Sequence, residues 1–208
     1  SHCRADCDAL GSELALAEAL ESLGKQVAVV NGDEMPEHVA FMDAAGRVGV
    51  IGASMPLEMM RSFEVLIVLD TSAWGQLGPM AEVVRGFQGK VIVVDHHRSE
   101  DDLGAEVFKD ATAEATGRLV LQLIEALQVQ VTPSIAEALF AAIATDTGWF
   151  RFNSVTEATF LALAKLVAAG ASPPETFSKL YEQHSLRRLH LRGRILEHEA
   201  NESDGRCL

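Results

Sequence analysis

The sequence predicts an α/β fold, in which a parallel β-sheet is flanked by helices and is followed by a helical region and a final linker helix. Two short apolar runs, residues 65–69 and 91–94, are continuous and rich in β-branched residues. Such runs are typical of parallel strands that are buried on both faces. Residues 79–87 lie between them and are long enough for a crossover helix. The order strand, helix, strand indicates a right-handed parallel unit.

The remaining elements follow from periodicity. Leucines recur near one face over residues 9–23, and Gly24 stands where a helix would end. Residues 27–30 predict a short buried strand. A basic amphipathic helix is predicted over residues 186–198. Helical periodicity dominates the intervening region, at residues 113–127, 133–144, 155–169 and 173–183.

The composition of the sequence argues against a membrane protein and against a disulfide-rich protein. No apolar run approaches the roughly 20 residues that span a bilayer, and the first residues lack the layout of a secretory signal, so we expect no membrane partner and a cytoplasmic location. Three cysteines are too few and odd in number for a disulfide framework. The net charge of −13 should repel long nucleic acids unless positive charge, such as bound divalent metal, is concentrated locally.

Acidic residues and histidines form four clusters, each at a predicted strand end or beside a helix start, where α/β proteins present functional side chains. The first cluster holds His2, Asp6 and Asp8, just before the first predicted helix. A helix cap at Asp8 and a surface position for His2 would explain it equally well. The second is Asp70, directly after the strand at 65–69, and in isolation a turn or capping role would explain it.

The third and fourth clusters favour a functional role more strongly. Asp95, His96 and His97 follow the strand at residues 91–94, and three ionisable groups in a row at a buried strand end are costly without partners. Asp146 lies at the end of an apolar predicted helix. A carboxylate is unfavourable at the negative end of the helix dipole, so we expect it to meet a positive partner, for which a metal ion is a candidate.

Together the clusters supply oxygen and imidazole ligands, which suit Mn²⁺ or Mg²⁺ better than the thiolate-rich structural sites of zinc. Six ligands suffice for two ions. Two ions about 3.5–4 Å apart need a shared carboxylate, and they would polarise a phosphate, activate a bridging water and stabilise the leaving oxygen. Asp70 is the candidate bridge. The predicted ligands are His2, Asp6, Asp8, Asp70, His96 and Asp146.

The clusters resemble, in their order, the four motifs of the DHH phosphoesterases. The tripeptide Asp-His-His at residues 95–97 is the one that names the family. The spacing of His2 and the two aspartates that follow it resembles the first motif of the family. The Asp-Ala-Leu-Gly-Ser stretch at residues 8–12 resembles the end of that motif. The four motifs stand at residues 2–12, at Asp70, at residues 95–97 and at residues 145–148.

The resemblance implies roles for these residues. Asp95, His97 and the bridging Asp70 would be the catalytic residues: His97 would contact the scissile phosphate, and Asp95 would orient the histidines from behind. By the same resemblance, His2 and Asp6 would bind one metal, Asp8, His96 and Asp146 the other, and Asp70 both.

Residues after the fourth motif offer candidates for substrate binding. Arg151 could grip a phosphate bidentately if it lies near the metals, and a role without substrate is equally open. Trp149, Phe150 and Phe152 could stack a base or pack in the core.

Within the family, the sequence resembles the bacterial oligoribonuclease and phosphoadenosine phosphatase branch more than the manganese pyrophosphatases. Members of that branch remove nucleotides from very short RNAs and dephosphorylate 3′-phosphoadenosine 5′-phosphate. The resemblance therefore implies a nucleic-acid-binding hydrolase with two divalent ions, Mn²⁺ first and Mg²⁺ second, and a short RNA or nucleotide phosphate as substrate. Related enzymes also pair as homodimers. The alternatives are an inorganic pyrophosphatase or polyphosphatase, and a nucleotide-sensing module without catalysis.

Two features depart from the family pattern. Arg4 and Ala5 stand where a proline usually precedes the first aspartate of the motif, and Cys7 takes the place of a smaller residue. Both would alter the loop without removing a ligand. We expect residues 1–185 to form the catalytic domain and residues 186–208 to form a linker helix toward a substrate-binding domain, which lies outside this sequence.

Overall fold

The computed structural model describes residues 1–183 and 186–199, which divide into a unit at Ser1–Pro173 and a second unit that starts at Pro174. The strands of the first unit are β1 (Val29–Asn31), β2 (Val48–Val50), β3 (Val65–Leu69), β4 (Lys90–Asp95) and β5 (Glu106–Lys109). Its helices are α1 (Cys7–Ser22), α2 (Leu57–Met60), α3 (Met80–Gly86), α4 (Thr116–Ala126), α5 (Pro133–Asp146) and α6 (Glu157–Ala168), with 3₁₀ turns at Glu37–Asp43 and Trp74–Gln76.

The strands form two parallel sheets. β1 pairs with β2, while β3, β4 and β5 lie side by side in that order. The predicted α/β class and the parallel unit β3–α3–β4 are confirmed, whereas β2 and β5 were not predicted. Residues of β1 and β3 also line a cavity of about 770 Å³. The register sets Leu69 opposite Val94 and Asp95 opposite Lys109. Because parallel strands end at a common edge, Asp70 follows β3 at the edge where β4 ends in Asp95.

Helices cover both faces of the three-stranded sheet. On one face, Leu69 and Val94 belong to a core formed with α1, α4, α5 and α6. On the other face, Val68 and Val93 pack with residues of α3. Alternate residues of the same strand are therefore buried on opposite sides, which explains the continuous apolar runs at residues 65–69 and 91–94.

Glycine lets the two central helices approach each other closely. Gly11 of α1 lies against the backbone of α5, and a Cβ atom at this position would overlap the carbonyl oxygen of Ala138 and lie 3.0 Å from the Cβ of Ala142. Thr132 caps the start of α5, where its hydroxyl accepts a hydrogen bond from the backbone N–H of Ile135 at 3.2 Å. The packing of α1 on α5 fixes the start of one helix near the end of the other.

The second unit consists of the remainder of α7 (Pro173–Phe177), a π-helical turn at Ser178–Glu182, and α8 (Leu186–Glu199). The helix predicted over residues 186–198 is confirmed as α8. Residues 200–208, the rest of the predicted linker, lie outside the described residues, and the domain boundary predicted after residue 185 stays a prediction. Over residues 1–183 and 186–199, no helix has the length and apolar character needed to cross a bilayer.

We predict that Gly11→Ala lowers the free energy of unfolding by about 1–3 kcal/mol, because the added methyl group has no room between α1 and α5. Urea denaturation followed by circular dichroism measures the change. Gly86→Ala is the matched control, since Gly86 is exposed at the end of α3 and a Cβ there meets nothing within 4 Å. Equal stability of Gly11→Ala and the wild-type protein would contradict this account of the helix contact.

Candidate metal centre

The four predicted clusters converge at one edge of the sheet. His2, Asp6 and Asp8 arrive from the start of α1, and Asp70 follows β3. The tripeptide at residues 95–97 begins at the last residue of β4, and Asp146 is the last residue of α5. Segments separated by more than 130 positions in the chain thus contribute side chains to one site.

Asp6, rather than Asp8, caps the first helix. The Asp6 side chain accepts hydrogen bonds from the backbone N–H groups of Asp8 at 2.9 Å and Ala9 at 3.1 Å. The alternative that Asp8 is a helix cap is therefore wrong. The departure at Arg4 and Ala5 leaves this arrangement intact, with Arg4 in a left-handed conformation at φ 58°.

The carboxylate of Asp8 is buried and held by the start of another helix. Its two oxygens accept hydrogen bonds from the backbone N–H groups of Thr116 and Gly117, each at 2.8 Å. These groups open α4, where the helix dipole favours negative charge. Gly117 has no side chain at this contact, and a Cβ there would lie 2.7 Å from the Cβ of Ala142 and 3.2 Å from Asp8 Oδ1. Neither Thr116 nor Gly117 was predicted from the sequence to take part in the site.

Asp70 occupies the centre of the cluster. It is 1% exposed, and its φ of 63° is in the left-handed region, which is strained for a residue with a Cβ. Its Oδ2 lies 3.3 Å from His2 Nε2, and its Oδ1 lies 3.7 Å from His96 Nε2. The hydroxyl of Thr116 donates to Oδ1 at 2.8 Å. The two oxygens of one carboxylate therefore face two different histidines.

Backbone carbonyls orient both of these histidines. His2 Nδ1 lies 2.9 Å from the carbonyl oxygen of Cys3, and His96 Nδ1 lies 3.2 Å from that of Ala113. When Nδ1–H donates to the carbonyl, Nε2 is the ring nitrogen that faces the carboxylates. His96 Nε2 is buried and has no hydrogen-bond partner. A buried ring nitrogen facing carboxylates is the arrangement expected of a metal ligand.

Among the described residues, the potential ligand atoms group into three overlapping sets. His2, Asp6 and Asp70 form one, with ligand atoms within 4.8 Å of one another, and Asp70 also belongs to a set with His96 and His97. A further set under the same limit consists of Asp8, His96 and Asp146. The first and the last of these sets hold the residues that the resemblance assigns to the two metals, but Asp70 is grouped with His96 and His97 rather than with Asp8. Ligation itself stays a prediction.

The crowding of carboxylates alters their acidity. Burial, reinforced by the charges of Asp70 and Asp146, raises the pKa of Asp8 well above its ordinary value. Burial also raises the pKa of Asp146 to about 6. Hydrogen bonds to Asp6 and Asp70 raise the pKa of His2 to about 11. Buried negative charge of this density is stabilised by cations, so the residues fit the divalent metals that the sequence predicts.

His97 and Asp95 form a hydrogen-bonded pair beside the ligands. Asp95 is fully buried, and its Oδ1 accepts from both the backbone N–H and Nδ1 of His97, at 3.0 and 2.9 Å. Burial opposes the ionisation of Asp95, but hydrogen bonds from His97 and Ser72 outweigh it and lower the pKa of Asp95. The hydrogen bond to Asp95 in turn raises the pKa of His97. Asp95 thus contacts the ring of His97, whereas Ala113 orients that of His96.

The structure separates the aromatic candidates that follow Asp146. Trp149 and Phe150 contact the ring of Phe140 in the core, with centroids 6.1 and 6.3 Å away. Phe152 is 54% exposed, so core packing does not describe it, and base stacking by Phe152 stays a prediction. Arg151 is exposed, and its Nε donates to the carbonyl of Gly148 at 2.7 Å. This contact engages Nε and not the two terminal amino groups, and phosphate binding by Arg151 stays a prediction.

Comparison with known proteins gives a family. The family model described as DHH family, N-terminal domain, matches residues 1–143. The bifunctional oligoribonuclease and PAP phosphatase NrnA of Thermus thermophilus is 31% identical over 180 residues, which cover 86% of this chain and 52% of that protein. The protein of the same name from Bacillus subtilis is 25% identical over 186 residues, which cover 87% of this chain and 55% of that protein.

A solved structure is also similar. The crystal structure of an exopolyphosphatase-related protein from Bacteroides fragilis superposes with a TM-score of 0.87 at 25% identity, covering 94% of this chain and 59% of that one. The chain spans about half the length of the curated relatives named above. The family match covers three of the four motifs, through the Asp-His-His tripeptide, and the relatives extend the similarity beyond it. The chain belongs to the DHH family.

Proposed function

We propose that the protein is a metal-dependent phosphoesterase that hydrolyses short oligoribonucleotides, 3′-phosphoadenosine 5′-phosphate, or both. The observation that carries this proposal is the position of Asp70, whose two oxygens face His2 and His96 in two overlapping sets of ligand atoms. Membership of the DHH family supports the reaction class. The names of the relatives from Thermus thermophilus and Bacillus subtilis support the substrates.

The ligand sets suit two divalent ions, for which Mn²⁺ is the first choice and Mg²⁺ the second. When bound, such ions supply Lewis-acid polarisation of a phosphate and a water of lowered pKa. Asp70 would be the shared ligand. His2 and Asp6 would complete one site, and Asp8, His96 and Asp146 the other.

His97 is suited to hold the phosphate of the substrate. Its side chain is 40% exposed, and Asp95 engages its Nδ1, so that Nε2 is the ring atom left for a phosphate oxygen. The raised pKa of His97 favours the protonated imidazolium, which donates strongly to an anion. Asp95 therefore contributes by fixing the ring and stabilising its charge.

The charge of the chain favours a short substrate. With 17 Lys and Arg against 30 Asp and Glu, the protein repels a long polyanion, whereas a short one meets mainly the local field of the site. We propose Arg151 as a second phosphate contact through its terminal amino groups. A cytoplasmic location and a homodimer stay predictions from the sequence and the resemblance.

A second candidate function is hydrolysis of inorganic pyrophosphate or polyphosphate. The similar Bacteroides fragilis protein is described as exopolyphosphatase-related, which favours this alternative. The same residues would serve it, because a phosphoanhydride and a phosphoester present the same oxygens to the site. The two functions are distinguished by whether the protein hydrolyses nucleotides or inorganic pyrophosphate and polyphosphate.

We predict that the protein with Mn²⁺ hydrolyses a labelled trinucleotide or 3′-phosphoadenosine 5′-phosphate, and that Asp70→Asn lowers kcat at least about 100-fold, because the shared ligand is weakened. Product release is measured by chromatography. Asp102→Asn is the matched control, since Asp102 is exposed and accepts a hydrogen bond from the nearby Gly104 N–H at 2.8 Å, which Asn retains.

Other outcomes of this assay separate the alternatives. Release of phosphate from pyrophosphate or polyphosphate, with no product from nucleotides, would replace the proposed function with the second candidate. Nucleotide binding without turnover of any substrate would indicate a sensing module. Unchanged turnover in Asp70→Asn would place the activity at a different site.

We also predict that Mn²⁺ binds more tightly as the pH rises from about 5 to 8. The pKa of His2 is raised to about 11 and that of Asp146 to about 6, so protons occupy these groups at low pH and compete with the metal. At pH 7 binding should release a proton from His2. Calorimetry in buffers of different ionisation enthalpy measures both quantities. An affinity that does not change with pH would contradict this reading of the site.

A further inference from the structure

The buried charge of Asp95 is balanced by a lysine from the neighbouring strand. Lys109 ends β5, and the parallel register places it directly opposite Asp95 of β4. The side chain of Lys109 is 11% exposed, and its Nζ lies 3.3 Å from Asp95 Oδ2. A lysine buried to this extent loses most of its hydration, so it needs partners that compensate.

Ser72 connects the two charges. Lys109 Nζ donates to Ser72 Oγ at 2.7 Å, and Ser72 Oγ lies 2.6 Å from Asp95 Oδ2, to which it donates. Ser72 is itself buried, directly after the bridging Asp70 and Thr71. Lys109 Nζ also donates to the carbonyl oxygen of Ser99 at 2.5 Å and lies 3.6 Å from Glu100. The ammonium is therefore held in one position by several acceptors.

The two oxygens of Asp95 have separate partners. Oδ2 receives Ser72 and faces Lys109, whereas Oδ1 receives both hydrogen bonds from His97. A carboxylate fixed at one oxygen presents the other in a defined direction. Without the partners of Oδ2, the Asp95 group could rotate, and the ring of His97 would lose its fixed orientation.

We propose that Lys109, acting through Ser72 and Asp95, is a positioning residue for His97. The proposal rests on the proposed function, in which His97 holds the phosphate. Lys109 lies outside the four clusters that the sequence presents, 14 positions after Asp95. Its place in the site comes from the pairing of β4 with β5.

Lys90 offers a matched comparison in the same sheet. It begins β4, and its Nζ lies 2.5 Å from Glu106 Oε2, but the two side chains are 55% and 50% exposed. Exposed pairs of this kind contribute little to stability or to geometry. Replacing Lys90 removes the same charge from the same sheet without changing a buried contact.

The test compares Lys109→Met with Lys90→Met by two measurements. The first is the proton resonance of His97 Nδ1–H in NMR spectra, recorded without substrate, which reports the hydrogen bond to Asp95. The second is Mn²⁺-dependent turnover of the substrate that the wild-type protein accepts. We expect Lys109→Met to shift or lose the resonance and to lower kcat about 10- to 100-fold, with KM within about twofold. Lys90→Met should match the wild type in both.

Two further variants test whether the effect is one of position. Lys109→Arg retains a cation at this place, so it should recover part of kcat and of the resonance. Ser72→Ala retains Lys109 but removes the hydroxyl between the charges, and it should shift the same resonance. If Lys109→Met does not fold, as judged by circular dichroism, Ser72→Ala carries the comparison with Lys90→Met.

An unchanged His97 resonance and unchanged kcat in folded Lys109→Met would overturn the proposal. If Lys109→Met is unfolded, an unchanged resonance in Ser72→Ala would overturn it. The resonance is read without substrate, so it decides the positioning role even if the wild-type protein turns over no nucleotide. Absence of nucleotide turnover by the wild-type protein would count against the proposed function alone. Failure of the proposed function can therefore be distinguished from failure of the positioning role.

Discussion

The concentration of carboxylates at one edge of the sheet is the constraint on which the rest of the site depends. Asp8 and Asp70 are each 1% exposed, and Asp146 lies close enough to raise the pKa of Asp8. Burying several like charges together is costly unless hydrogen bonds and cations compensate for the lost water. The fold supplies the hydrogen bonds from α4, and divalent ions would supply the positive charge.

Helix packing meets this constraint in two ways. The first turn of α4 must reach Asp8 with two backbone N–H groups, and α1 must approach α5 so that Asp8 and Asp146 share one site. Both approaches occur at glycines, Gly11 and Gly117, where a side chain would collide with α5. The glycine in the Asp-Ala-Leu-Gly-Ser stretch therefore has a structural reason: it sets the distance between helices that carry ligands.

The sequence predicted the parts of the fold that have a strong local pattern. β3 and β4 are buried on both faces and read as continuous apolar runs, whereas β2 is a three-residue strand that contains a glycine and β5 is largely exposed with charged ends. The candidate ligands could be predicted from the sequence because each lies beside a predicted strand or helix. Spacing alone did not decide whether Asp6 or Asp8 caps α1. The contributions of Thr116 and Lys109 arise from contacts between distant segments, for which a single sequence carries no local signal.

In the proposed site, Asp70 is shared by two divalent ions. A crystal of the protein grown with Mn²⁺ and recorded with X-rays at the manganese absorption edge tests this most directly. We expect two anomalous peaks about 3.5–4 Å apart, both in contact with Asp70, one beside His2 and the other beside His96. A single peak away from Asp70, or peaks that do not contact its carboxylate, would contradict it.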